Sequence, residues 1–124
     1  MFFAEKYDNK DQYLGVYSSV TESECNMDIV LNPAGTGKAI QICRLEDGSQ
    51  EDVTEETSFR WAIKGSSIFL YYSNTEIELA YDSSLFCEII ELKGVASGLV
   101  LKTKGNNIFE GYGDRFWKDR QECK

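Results

Sequence analysis

The chain has 124 residues, enough for one domain with a real core. It carries 13 Lys plus Arg against 21 Asp plus Glu, a net charge of −8. That balance argues against nucleic-acid phosphate and anionic membrane surfaces as partners and favours encounter with a basic protein. Histidine is absent, which removes any Ser–His or Cys–His nucleophile and any Cys/His zinc set.

Met1-Phe2-Phe3-Ala4 has the look of the last apolar residues of a signal peptide ending at Ala4. The polar run that follows makes residues 1–12 an expected flexible leader, with 13–124 a single β domain. A first strand is expected from Tyr13 to Ser18, with Tyr13, Gly15 and Tyr17 on one face. Cys25, Met27, Ile29 and Leu31 form the inward face of a second strand, and Asn32-Pro33-Ala34-Gly35-Thr36-Gly37 turns it into a third, Lys38 to Leu45. Two registers compete across this hairpin. Setting Met27 against Ile42 and Ile29 against Ile40 keeps the apolar faces together; setting Cys25 opposite Cys43 slips the pairing by one and turns Ile40 and Ile42 away. A bulge near the glycine turn or near Cys43 would reconcile them.

Glu46 to Thr57 is the most acidic stretch and reads as a loop, with at most a short strand around Val53. Ser58 to Leu92 then reads as an antiparallel meander. Phe59, Trp61 and Ile63 alternate with polar residues, as do Ile77, Leu79 and Tyr81. Lys64-Gly65-Ser66 and Ser73-Asn74 are turns, and Asp82-Ser83-Ser84 is expected to be a third turn before Leu85, Cys87 and Ile89. Phe69 and Tyr71 lie opposite Ile68, Leu70 and Tyr72, so this strand is apolar on both faces and calls for a cover or a partner. Lys93 to Ser97 is expected as a loop, Leu99 to Thr103 and Ile108 to Tyr112 as strands, and Phe116 and Trp117 as residues that dock the tail. The expected fold is all-β: one antiparallel barrel or closed sandwich of about eight strands, stabilised by disulfides.

Four cysteines, Cys25, Cys43, Cys87 and Cys123, form no C-x-x-C. Two disulfides in an oxidising compartment are expected, with Cys25–Cys43 and Cys87–Cys123 preferred among three connectivities; buried free thiols are the competing reading. Pro33 to Ala39 has the glycines and lysine of a phosphate-binding loop. It lacks the first glycine at Asn32 and the hydroxyl at Ala39, and no helix follows, so it is a hairpin turn. Glu76 with Glu78, and Glu88 with Glu91, are paired carboxylates on strands whose other face is core, which makes solvated faces of them. Glu51, Asp52, Glu55 and Glu56 lack calcium-loop spacing. No enzyme, cofactor or metal is expected.

Gly15-x-Tyr17, the hairpin Met27–Leu31/Asn32–Gly37/Lys38–Ile42, Phe59-x-Trp61 and Lys64-Gly65-x-x-Ile68-x-Leu70 together resemble the small lipocalin-like barrels of bacterial envelopes. Trp61-x-x-Lys64-Gly65 is also similar to a segment of the periplasmic C-type lysozyme inhibitors. No functional residue carries over from either, since the copper-site and lipid-anchor cysteines of envelope barrels have no counterpart here.

The leading expectation is a non-enzymatic periplasmic or secreted protein that occludes a basic or cleft-bearing hydrolase, as an inhibitor or immunity protein. Its expected contacts are the turn residues Asn32, Gly35 and Thr36, the acidic Glu51, Asp52, Glu55 and Glu56, and the Phe69/Tyr71 face. A lipocalin-like carrier lined by Trp61, Tyr72 and Tyr81 is the second reading. A structural envelope module or homodimer using the Phe69/Tyr71 face is the third.

Overall fold

A computed structural model describes residues 12–19, 25–44, 51–89, 92–105 and 107–118, with backbone alone at 44, 51–54, 87–89 and 92–94. Eight strands form a closed antiparallel barrel in sequential order. They are β1 (Gly15–Ser19), β2 (Cys25–Asn32), β3 (Thr36–Arg44), β4 (Glu51–Lys64), β5 (Ser67–Tyr72), β6 (Thr75–Ile89), β7 (Leu92–Leu101) and β8 (Arg115–Lys118). β8 returns to β1 through Tyr17↔Lys118, Ser18↔Trp117 and Ser19↔Phe116. The all-β barrel expected from the alternation is therefore the observed fold. We call the end bearing the turns at Pro33–Gly35 and Gly65–Ser66 upper, and the end bearing Ser73–Asn74 and the β7–β8 connection lower.

The period of two explains the interior directly. Met27, Ile29 and Leu31 of β2, Phe59 and Trp61 of β4, Ile68 and Leu70 of β5, and Ile77 and Leu79 of β6 are buried in one core cluster. Between β2 and β3 the cysteine register prevails without interruption, from Cys25↔Cys43 through Met27↔Gln41 and Ile29↔Ala39 to Asn32↔Thr36. Ile40 and Ile42 therefore sit half-buried on the face opposite Ala39. The reason is volume. Phe59 and Trp61 fill the space beside β3, so its inward positions must be small: Gly37 lies directly opposite Phe59, followed by Ala39. A Cβ on Gly37 would fall 2.7 Å from the Phe59 ring and 2.3 Å from the Val30 carbonyl oxygen. The irregularity falls on the other flank of β3, where Gln41 faces Glu55 and Ile42 faces Val53, leaving Thr54 as the extra residue.

Cys25 and Cys43 form a disulfide with their Cα atoms 4.0 Å apart. The pairing of Cys87 with Cys123 lies outside the described residues, as do the leader at 1–11 and the segment 119–124.

Four expected elements are different in the structure. The acidic loop is a strand from Glu51 onward, laddered to β3, because every second residue of β4 can remain in water while Phe59 and Trp61 face inward. Asp82-Ser83-Ser84 does not reverse the chain. It is a bulge inside one long β6, with Asp82↔Gly98 on one side and Leu85↔Ala96 on the other, and the Ser84 amide donates to Asp82 Oδ1 at 2.9 Å. The partner of that long strand is β7, so Lys93 to Ser97 is strand rather than loop.

The fourth difference is the β7–β8 connection. Ile108 to Tyr112 is a succession of turns, since Gly105, Gly111 and Gly113 have φ of 110°, 93° and 79°, incompatible with a continuous strand. The closing strand is instead Arg115–Lys118. The connection crosses the lower mouth and drives Phe109 into the core, 5.5 Å and edge-to-face from Phe116. It is held on both sides: Gln41 Nε2 donates to the Tyr112 hydroxyl, and the Ile108 amide donates to the Tyr72 hydroxyl at 3.3 Å.

Two measurements test this packing. Gly37→Ala should lower stability by about 1–3 kcal/mol in urea unfolding, because backbone and a buried ring must both give way. Phe109→Ala should cost about 3 kcal/mol and, in hydrogen exchange, expose the amides of 107–112 while β2 and β3 stay protected; an unchanged midpoint would mean that Phe109 is not a plug.

Candidate functional site

The residues singled out as contacts do not come together. Asn32, Gly35 and Thr36 lie on the upper rim, where the turn is tied to the barrel from beneath. The Trp61 indole N–H is shared between the carbonyls of Asn32 at 3.0 Å and Thr36 at 2.9 Å. This makes the turn a low, rigid lid. Glu51, Asp52, Glu55 and Glu56 lie toward the lower end of β4. Glu51 is opposite Arg44, Asp52 opposite Cys43, and Glu56 is 3.5 Å from Lys38 on an exposed surface. Five residue steps along β3 separate Thr36 from Gln41, the partner of Glu55, or about 17 Å at the rise of a strand.

Phe69 and Tyr71 occupy the outer face of β5 as a third, separate place. Their rings are near-parallel with centroids 6.5 Å apart, and Lys64 Nζ lies 5.2 Å from one centroid and 5.5 Å from the other. Glu76 approaches the same ammonium at 4.0 Å. The hydrogen bond with Tyr71 is the first cause that holds the Lys64 pKa above its ordinary value. The strand's second greasy face is thus covered in part by its own lysine.

The residues expected to line a carrier cavity are engaged by other groups. Trp61 is buried and bonded as above. Tyr81 packs edge-to-face on Tyr13 with centroids 4.7 Å apart, and Tyr72 holds the Ile108 amide. Two open grooves of about 360 and 480 Å3 lie at the lower end, one against Lys104, Phe109 and Asp114, the other against Tyr71 and the Ser73–Asn74 turn. Among the described residues no three carboxylates or cysteines gather as a metal site, and no helix is long and apolar enough to cross a membrane.

One feature of the surface was not foreseen: among the described residues the hairpin of β6 and β7 runs on past β5. Among the described residues β5 accompanies β6 only to Ala80, and β8 accompanies β7 only to Gly98. Six further residues of β7, from Ser97 back to Leu92, extend this arm by about 20 Å. The bulge at Ser83–Ser84 gives the arm two unlike faces. On one, Leu85 and Ala96 are buried beside Gly98 and Trp117, and the Trp117 indole N–H donates to the Phe86 carbonyl at 3.0 Å. On the other, the directly paired Phe86 and Val95 remain 52% and 50% exposed. The signal was present in the adjacent apolar residues Leu85-Phe86 and Val95-Ala96, but reading Asp82-Ser83-Ser84 as a turn hid their pairing.

At the upper end Tyr17 is fully buried, its hydroxyl donating to the Tyr13 carbonyl at 2.9 Å. Burial first, then the neighbouring Tyr81 and Tyr13, pushes its pKa well above the ordinary value. The neutral form is favoured in the fold, so this stabilisation is complete below about pH 10 and is lost as the pH rises and the unfolded chain ionises first. Tyr17→Phe should therefore cost about 1 kcal/mol near neutrality, and the gap from the parent should narrow when urea midpoints are followed from about pH 8 to about pH 11. No protein-family model, curated protein or solved structure matches this chain.

Proposed function

We propose that this protein is a non-enzymatic, extracytoplasmic binding protein that occludes a partner protein, in the form of an inhibitor or immunity protein of a cell-wall-degrading, lysozyme-like enzyme. The observation that carries the reading is the filled barrel. Tyr17, Phe59, Trp61, Phe109 and Phe116 occupy the interior with the aliphatic residues of β2, β5 and β6, which leaves recognition to the outer surface. The Cys25–Cys43 bond is compatible with an oxidising compartment, which accords with a periplasmic or secreted setting. A net charge of −8 would speed encounter with a basic hydrolase and repel acidic competitors.

The carrier reading is weaker on the same observation. A ligand inside the barrel would have to displace Phe109 or Trp61, each of which is held by packing or hydrogen bonds. The homodimer or structural-module reading draws on the Phe69/Tyr71 face, which Lys64 already covers in part.

The test is affinity capture with the oxidised protein from the envelope and secreted fractions of its source, at low and physiological salt. The expected result is one stoichiometric hydrolase whose activity falls when the protein is added back, with association slowed at higher salt. Recovery of no protein, with a lipid or other small apolar molecule released on denaturation, would replace this reading with the carrier.

A further inference from the structure

We propose that the β6–β7 arm is the docking element, and that Phe86 and Val95 form an apolar anchor that enters a pocket on a partner protein whose rim is basic. This deepens the partner-protein reading above and rests on it. Three observations lead there. The anchor pair is about half exposed on an element that, among the described residues, extends past β5, so a partner's pocket can reach it. The arm is also stiff where it matters. Trp117 packs against the buried Ala96 on its back, Leu85 is buried opposite Ala96, and the Trp117 indole N–H donates to the Phe86 carbonyl, so ordering the anchor costs little on binding. Finally, segment 82–98 carries three carboxylates, Asp82, Glu88 and Glu91, against the single Lys93. The apolar pair is therefore embedded in acidic sequence, which complements a basic rim.

The same quantities decide against a second copy of this chain as the occupant. Two molecules of net charge −8 repel. One Phe–Val pair from each would bury a few hundred Å2, far below the roughly 1,600 Å2 of a standard stable interface. A pair of this size acts as a hot spot within a larger, heterologous contact. The upper-rim turn at Pro33–Gly35 lies at the same end of the barrel as the arm and can contribute to that contact; the acidic end of β4 lies at the other.

The experiment compares the full-length oxidised protein with the double variant Phe86→Ser/Val95→Ser. Val16→Ser serves as control, because Val16 is 44% exposed on a different face. Far-UV circular dichroism and thermal melts confirm that all three fold alike. The hydrolase captured by the parent is purified, and its affinity for each form is measured by calorimetry. The expected result is a loss of about 30-fold or more for the double variant and a change under about 3-fold for the control. Equal affinity of parent and double variant for the same hydrolase would overturn the arm while leaving the partner reading intact. A failure to capture any hydrolase would overturn both. A parent dimer at about 100 μM that the double variant dissolves in sedimentation would overturn the choice of occupant, since a weak self-contact would already be dissociated at that concentration.

Discussion

Everything in this barrel depends on the fit of two large rings against a strand of small residues. Phe59 and Trp61 project inward from β4, and β3 answers with Gly37 and Ala39. Only the register that places these small residues inward lets the walls approach, and in that register Cys25 is opposite Cys43 while Ile40 and Ile42 turn outward. A tight core thus outweighs the burial of two isoleucines. The comparison is reasonable in magnitude: a half-buried isoleucine on an outer face still keeps part of its transfer free energy, whereas overpacking a closed interior carries a direct strain of about 1–3 kcal/mol.

The two mouths are then sealed by different means. At the upper end the Trp61 indole N–H donates to the Asn32 and Thr36 carbonyls, the Tyr17 hydroxyl donates to the Tyr13 carbonyl and Tyr13 packs on Tyr81. At the lower end a long connection brings Phe109 into the core and is fastened through Tyr112 and Tyr72. Tyr17, Tyr72 and Tyr112 each combine an apolar body with a hydroxyl that finds a partner, which suits a residue placed where a core meets water. With both ends engaged in this way, the chemistry available to other molecules is that of the outer faces and of whatever stands clear of them.

What stands clear is the β6–β7 arm, and it exists because of two serines. Inserted opposite Ser97, Ser83 and Ser84 leave the pairing antiparallel but add twist, and among the described residues the strands continue past the last pair that β6 makes with β5. Behind the bulge the apolar residues separate into a buried set, Leu85 beside Gly98 and Ala96 against Trp117, and an exposed pair, Phe86 and Val95. An uncovered aromatic on a braced hairpin is a costly feature to keep in water, and the proposal that it serves recognition follows from that cost.

The sequence by itself determined the fold class, most strand faces and the tight turns. Alternation of apolar and polar residues is a local property, and Ser73-Asn74 needs only its own left-handed backbone, with φ of 42° and 62°, to reverse the chain. The Cys25–Cys43 staple was also legible as one of two competing registers. Tertiary structure alone decided between those registers, because the choice rests on ring volumes contributed by β4. It likewise made a strand of the acidic segment, a bulge of Asp82-Ser83-Ser84 and a plug of Phe109. In each case the local residues permit more than one conformation, and the deciding term is a contact with a strand distant in sequence: β3 for the acidic segment, β7 for the bulge, and Phe116 for the plug. The Phe86–Val95 pair was hidden for the same reason, since exposure depends on where neighbouring strands end, and no single stretch of sequence records that.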